Sequence, residues 1–229
     1  MQQNNFGPCN LFIHPTVYAF EFPKVYFIKT PTLLKSIFPQ QIWSIPVPDK
    51  SVFLTFDDGP TPGVTEWVLD TLAKFEAKAT FFMVGKNAVS NPELVKRILL
   101  EGHSIGNHTF THLNGWRTTL PSYTKSALKC GEAVPSNLFR PPYGRITRAQ
   151  TRRLGNRYKI IMWDVLSGDF DMELPKQKVV KNVLNNTEPG SIIVFHDSLK
   201  AEPRLKYALP RVLNYLKDEG YNFNPIAMK

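Results

Sequence analysis

The chain has 229 residues, 42% of them hydrophobic, and a formal net charge of +9. That length suits one domain with a full core or a small barrel, and no run approaches the ~18 consecutive apolar residues of a membrane span. Two cysteines, Cys9 and Cys130, are too few for a disulfide scaffold or a cysteine-based zinc site and suit a reducing compartment; the interleaved aromatic motifs of nucleic-acid binders are absent, so no nucleic-acid partner is expected.

In chain order, residues 1–50 stand apart. They are rich in Pro, Phe and Tyr and contain only two acids, Glu21 and Asp49. They read as an irregular N-terminal arm or wrapping segment, with a short helix over 32–38. No secretory signal is predicted, because there is no positively charged start and Pro8, His14 and Pro15 interrupt the apolar positions. His14 carries no functional signal. The domain proper is read as 51–229. Buried strands are expected at 51–56, 79–84, 104–107, 138–140, 159–165, 191–195 and 221–226. Between most of them lie helical patterns. Residues 65–75 put Val68, Leu69, Leu72 and Phe75 on one face. Residues 92–102 have Asn91 as N-cap, Pro92 at the first position and Gly102 as the stop. Residues 176–187 and 209–220 follow suit. Alternating strand and helix implies an α/β fold with parallel strands and right-handed crossovers. About seven strands predict a barrel one short of the eight-stranded kind, with a doubly wound open sheet as the alternative.

The reactive residues fall at carboxyl ends of these strands, the face where parallel barrels build active sites. Asp57 and Asp58 follow the first strand, and His108 and His112 the third. Arg140 ends the fourth and opens a Pro141-Pro142-Tyr143-Gly144 loop; Asp164 and Asp169 lie at and beyond the end of the fifth, and His196 and Asp197 follow the sixth. His108 and His112 are spaced as one helical turn, so both imidazoles face one way and can bind one cation. A third ligand would leave a position open for water, as in a catalytic site. In zinc proteases of the H-E-x-x-H type the base lies between the histidines. Here Thr109, Phe110 and Thr111 occupy those positions, so the base must come from elsewhere, with the Asp57-Asp58 pair nearest to hand. Simpler readings apply to other residues. His103 reads as a packed structural histidine, Asp164 as a strand-end hydrogen-bonder, Asp197 as a loop cap or ligand orienter, and Lys78 as solvent-exposed. Seven basic residues with no acid among them, Arg140 to Lys159, read mainly as a solvated helix face.

The segments TFDDGP (55–60), HTFTH (108–112), RPPYG (140–144) and IIVFHD (192–197), in this order, resemble the polysaccharide deacetylases of carbohydrate esterase family four. The match runs from about residue 51 to 226. The resemblance implies a distorted, incomplete (β/α) barrel and removal of acetyl groups, mostly from N-acetylglucosamine units of peptidoglycan or chitin-like glycans. It implies a divalent metal, usually Zn2+, held by Asp58, His108 and His112. Asp57 would be the general base, tethered by Arg140. His196 would be the general acid, tuned by Asp169. Pro141, Pro142 and Tyr143 would form one groove wall, with the Tyr143 N–H aimed at the oxyanion and Trp163 lining the site. One motif departs from the family pattern. Where D-[ST]-x-D-W is usual, this chain has Leu166-Ser167-Gly168-Asp169-Phe170. Asp169 is kept, but the groove's shape and polarity change. The alternatives are an O-acetyl esterase and an inactive glycan-binding relative. The missing leader reads as cytoplasmic, against the cell-envelope location of such substrates.

Overall fold

A computed structural model describes residues 26–227; Cys9 and His14 lie outside the described residues. The elements in chain order are α1 (Thr32–Ile37), β1 (Gln41–Ile42), β2 (Ser51–Asp57), α2 (Val64–Lys74), β3 (Ala79–Met83), α3 (Gly85–Ser90), α4 (Pro92–Leu100) and β4 (Ser104–Asn107). They continue with α5 (Leu120–Ala133), β5 (Leu138–Phe139), α6 (Arg148–Gly155), β6 (Lys159–Ile161), β7 (Val165–Leu166), α7 (Lys176–Leu184), β8 (Ile192–His196), α8 (Glu202–Asp218) and β9 (Asn222–Phe223). The strands run in the order β1-β6-β5-β4-β3-β2-β8-β7, with β9 beside β2, and every pairing between them is parallel.

This is the α/β architecture expected, an open parallel sheet curled into an incomplete barrel. Its ends are brought together by the chain itself. β7, last in the order, follows β6 after three residues, Met162 to Asp164, and so few residues span only ~14 Å. The single strand expected over 159–165 is therefore two. The interruption has a cause in the pairing: Met162 N–H donates to Ile42 O (2.7 Å), whereas Asp164 N–H donates to Ile192 O (3.0 Å). The backbone changes neighbours between them. The segment expected over 221–226 keeps strand pairing only at Asn222–Phe223.

β2 shows how the sequence sorts itself. Val52, Leu54 and Phe56 face the helices and join the outer core with Leu69, Leu72, Leu209 and Leu213. Phe53 faces the barrel interior with Phe82, Leu138, Ile161 and Ile192. A strand side chain alternates faces, so Thr55 and Asp57 continue the interior column toward the carboxyl rim. Each fully buried Leu, Val or Phe contributes roughly 1.5–3 kcal/mol relative to exposure. α2, α4 and α7 lie close to the expected spans, whereas α8 begins seven residues earlier, at Glu202. Asn91 does sit at the N-cap of α4, but its side chain makes no capping bond and donates to Asn87 O at 3.0 Å instead. α3 and α5 were not expected, whereas α6 falls within the basic run read as a solvated helix face.

The arm lies over the gap between the sheet's ends. Lys29 forms an antiparallel bridge to Val165, Leu166 N–H donates to Ile28 O (2.8 Å), and Gln41–Ile42 add an edge strand to β6. Lys29 and Lys35 both reach the buried carboxylate of Asp164, at 2.7 and 2.5 Å, where Ser191 Oγ also donates at 2.6 Å. Asp164 is thus the anchor of the arm. Burial opposes its charge, but Lys29, Lys35 and Ser191 hold it below the usual carboxylate range. No helix among the described residues is long and apolar enough to cross a membrane.

Candidate active site

Five strands, β2, β4, β5, β7 and β8, deliver reactive residues to the same rim. Asp57 is the last residue of β2 and His196 the last of β8, while His108 follows β4 and Arg140 follows β5 directly. Asp169 comes three residues after β7. Asp57, Asp58, His108, His112, Tyr143 and His196 line one cavity of about 620 Å³, and Trp163 shares it.

His108 and His112 do converge, but not on a helical turn. Residues 108–114 form a loop after β4. It folds back because Thr109 and His112 take positive φ angles of 61° and 56°, and their neighbour Asp58 takes 83° and Tyr143 60°. Non-glycine residues avoid this region, and such backbone strain gathers at functional sites. The imidazole centroids end 5.0 Å apart. Asn107 holds the turn: its Oδ1 accepts from Thr109 N–H (2.9 Å) while its Nδ2 donates to Ala127 O (2.7 Å).

The side chains of Asp58, His108 and His112 bring one ligand atom each to within 4.8 Å of one another. Asp58 Oδ1 is buried without a hydrogen-bond partner. His112 Nε2 stands 3.1 Å from it and His108 Nε2 3.8 Å. An orphaned buried carboxylate oxygen is expensive, and a cation between it and the two nitrogens would remove the penalty. The outer nitrogens are also engaged. His108 Nδ1 lies 2.8 Å from Arg140 O, a carbonyl that can only accept, so Nδ1 carries the proton and Nε2 presents its lone pair inward. His112 Nδ1 lies 3.1 Å from Tyr143 Oη. Burial pushes His108 down to about 4, so its imidazole is neutral at ordinary pH. Burial opposes the Asp58 charge, but the close approach of His112 and the nearby His196 and His108 keep its carboxyl far below the usual range. The donor set of one carboxylate and two imidazoles fits a divalent cation.

Asp57 points into the same cavity from the barrel interior. Arg140 is fully buried and uses its whole fork: Nη1 donates to Asp57 Oδ1 (2.7 Å) and Thr55 Oγ1 (2.7 Å), Nη2 to Met162 O (2.9 Å) and Nε to Ile161 O (3.3 Å). Its guanidinium lies 4.1 Å over the Phe82 ring. Opposite, His196 Nδ1 donates to Asp169 Oδ1 (2.7 Å), and Asp169 Oδ2 takes the His196 N–H (2.8 Å). Burial works against a charged His196, yet Asp169 and the carboxylates of Asp58 and Asp57 prevail and raise it to about 9. It is a cation at neutral pH with Nε2–H free to donate.

Asp197 supports this rim from behind. Its Oδ1 accepts from Gly59 N–H (3.0 Å), its Oδ2 from Thr65 Oγ1 (2.6 Å), and its N–H donates to Asp57 O (3.1 Å). A Cβ at Gly59 would stand 2.0 Å from Asp197 Oδ2, so only glycine lets the loop sit down on this carboxylate. Burial pushes Asp197 up to about 8. Pro141 and Pro142 are buried beneath the exposed Tyr143, and a Cβ at Gly144 would stand 2.6 Å from the Trp163 ring, so this turn presses directly on that indole. His103 is buried, accepts from Ala79 N–H (3.1 Å) and is pushed by burial to about 4, a packed histidine as expected. Lys78 is half-buried rather than exposed and donates to Glu101 O at 2.6 Å. Of the basic run, Arg148, Arg152, Arg153, Arg157 and Lys159 are exposed, whereas Arg145 lines the cavity and Arg140 is buried. Leu166 and Phe170 line the cavity, as their place in the departing motif implied; reading the sequence missed Arg145, Val194, Ser198 and Lys200, and Tyr26, which arrives from the arm.

The family description "Polysaccharide deacetylase" matches residues 44–160. A peptidoglycan-N-acetylglucosamine deacetylase of Bacillus cereus is 37% identical over 192 residues, covering 81% of this chain and 90% of that protein. The peptidoglycan-N-acetylglucosamine deacetylase PgdA of Listeria monocytogenes is 36% identical over 182 residues; the match covers 76% of this chain but spans only 38% of the Listeria protein. Among solved structures, the Bc1960 peptidoglycan N-acetylglucosamine deacetylase in complex with a naphthalenyl N-oxidanyl-benzamide superposes with a TM-score of 0.79 at 32% identity, covering 86% of this chain and 95% of that one. The chain belongs to the polysaccharide deacetylase family, a family of hydrolases.

Proposed function

We propose that this chain is a zinc-dependent deacetylase that removes N-acetyl groups from N-acetylglucosamine-containing glycans of the peptidoglycan type and releases acetate. The observation that carries the reading is the opposition of two groups in one cavity: Asp57, held by Arg140 beside the Asp58/His108/His112 cluster, and a cationic His196 held by Asp169. The names of the relatives, peptidoglycan deacetylases, agree with it. The catalytic machinery is placed in residues 51–229, with residues 1–50 as the attached arm.

Asp58, His108 and His112 would hold the cation. When bound, a divalent metal supplies Lewis acidity, polarising a carbonyl and acidifying water. The chain's own groups do the rest. Asp57, fixed by Arg140, takes a proton from a water at the rim as its oxygen adds to the acetyl carbon. The Tyr143 N–H, presented by its left-handed turn, is assigned to the oxyanion; loss of one such donor typically costs ~100- to 1000-fold. Pro141 and Pro142 stiffen that wall, and Trp163 backs it. His196 Nε2 passes its proton to the amide nitrogen, the C–N bond breaks, and acetate and a free amine result. Leu166, Phe170 and Val194 give an apolar surface suited to the acetyl methyl.

The test is acetate release from N-acetylglucosamine tetramers and from acetylated xylan, with and without chelator, for wild type and Asp57→Asn. Chelator-sensitive release from the tetramer, abolished in Asp57→Asn, is expected. Release from xylan alone would favour an O-acetyl esterase, for which His196→Ala would matter little because an alkoxide leaves with less need of a proton. Chelator-resistant turnover would refute the assignment.

A further inference from the structure

The arm does more than cover the barrel gap. Tyr26 lines the active-site cavity, and it hangs from a fixed edge. Two residues on, Ile28 O accepts from Leu166 N–H (2.8 Å), and Thr30 N–H donates to Asp164 O (2.9 Å). Three further contacts set the phenol. Its hydroxyl donates to Asp171 Oδ2 at 3.0 Å. Its ring centroid lies 5.2 Å from that of Phe170, inclined at 57°. Beneath it runs bare backbone: a Cβ at Gly168 would come within 3.3 Å of Tyr26 Oη. Phe170 in turn meets His196 edge-on, with centroids 5.2 Å apart at 70°. Burial and the bond to Asp171 lift the Tyr26 hydroxyl to about 12, so it stays a neutral donor.

These contacts form one row, His196 to Phe170 to Tyr26, running from the group that protonates the amide to a residue of the arm. The amide carbon must lie between Asp57 and His196, and its acyl tail must enter the apolar stretch that includes Phe170. The position of the Phe170 ring therefore limits the length of that tail, and Tyr26 is the side chain against which Phe170 rests. We infer that Tyr26 is a specificity-determining residue: through Phe170 it closes the acyl pocket at the size of an acetyl group, so the arm decides which N-acyl chains are accepted. This rests on the deacetylase reading above. Tyr26 is not needed to hold the arm in place, since Lys29, Lys35 and the backbone pairing to β7 do that independently.

The experiment compares kcat/KM of the full chain and its Tyr26→Phe and Tyr26→Ala variants on glucosamine oligomers carrying N-acetyl, N-propionyl or N-butyryl groups, measured as carboxylic acid released. A single methylene in a tight apolar pocket is worth about 10- to 200-fold in discrimination, so wild type should prefer acetyl over butyryl by at least ~100-fold. Tyr26→Phe keeps the ring and should keep the preference. Tyr26→Ala should narrow the ratio by ~10-fold or more, with butyryl turnover rising in absolute terms. A gain on the larger substrate cannot come from a damaged fold. An unchanged ratio in Tyr26→Ala, an equal loss on all three substrates, or an equal narrowing in Tyr26→Phe overturns the inference. A wild type that releases acetate but shows no change in ratio on substitution sinks this assignment alone. A wild type that releases no acyl group sinks the deacetylase reading as well.

Discussion

Replacing Arg140 by methionine tests the central column of the site. Methionine fills much of the aliphatic volume, so the change isolates the guanidinium. Its removal strands the Asp57 carboxylate, which is 4% exposed, and takes donors from Thr55 Oγ1, Met162 O and Ile161 O. Breaking a buried ion pair from one side costs about 3–5 kcal/mol, and the stranded carbonyls add to the upper part of that range. A loss of about 4 kcal/mol in a chain of this size lowers Tm by about 8–16 °C. Urea unfolding followed by circular dichroism gives the free energy, and a thermal melt gives the shift. The double variant Arg140→Met/Asp57→Asn carries no stranded charge and should recover about 2 kcal/mol of the loss. Turnover of Arg140→Met should fall ~100-fold or more, since the Asp57 carboxylate is no longer held in place. A variant that melts within about 4 °C of wild type, or a double variant no more stable than the single one, would refute the view that this arginine neutralises and positions Asp57.

The remaining predictions concern the opposite wall and the arm. His196 is raised to about 9, so the alkaline limb of kcat/KM should lie near there, and Asp169→Asn should bring it below ~7; an unmoved limb would show that another group titrates. The same shift fixes the sign of the linkage: the stabilisation from the His196–Asp169 pair is fully present below the ordinary histidine range and is lost as pH rises through about 9, which denaturant midpoints across that window would reveal. Asp164→Asn removes the shared partner of Lys29 and Lys35. Native-state trypsin should then cut after these lysines at least ~10-fold faster, equivalent to ~1.4 kcal/mol of lost local stability; equal cleavage rates would show that the backbone pairing alone secures the arm.

How much of this was legible in the sequence depended on the range of the interaction. β2, β3 and β8 announce themselves as largely apolar runs, because strands buried on both faces leave little room for polar residues, and β2 and β8 end in chemistry. The residues Asp57, Asp58, His108, His112, Arg140, Asp169 and His196 were all marked by their place just past such runs. The helical spacing of the two histidines was a wrong reason for their meeting: two left-handed residues, Thr109 and His112, turn the loop instead, and periodicity carries no sign of positive φ. α5 was missed because its buried face is made of Tyr123, Ser126, Ala127 and Cys130, small or polar residues that do not form an apolar stripe. The break at Met162 to Asp164 depends on which distant strand each amide meets. Tyr26 and the two arm lysines find their partners over more than a hundred residues, and nothing local marks them.

The arm also sets an order of events during synthesis. Lys29 and Lys35 meet Asp164 at sequence separations of 135 and 129 residues, so more than a hundred further residues must be made before the arm has a place to dock. Contacts of such long range form slowly. Until then the strand edges at β6 and β7 offer unpaired backbone groups to any passing chain, the usual opening for aggregation. A nascent chain of this protein therefore carries this hazard until Asp164 has been made, and residues made early, Lys29 and Lys35, take their places late.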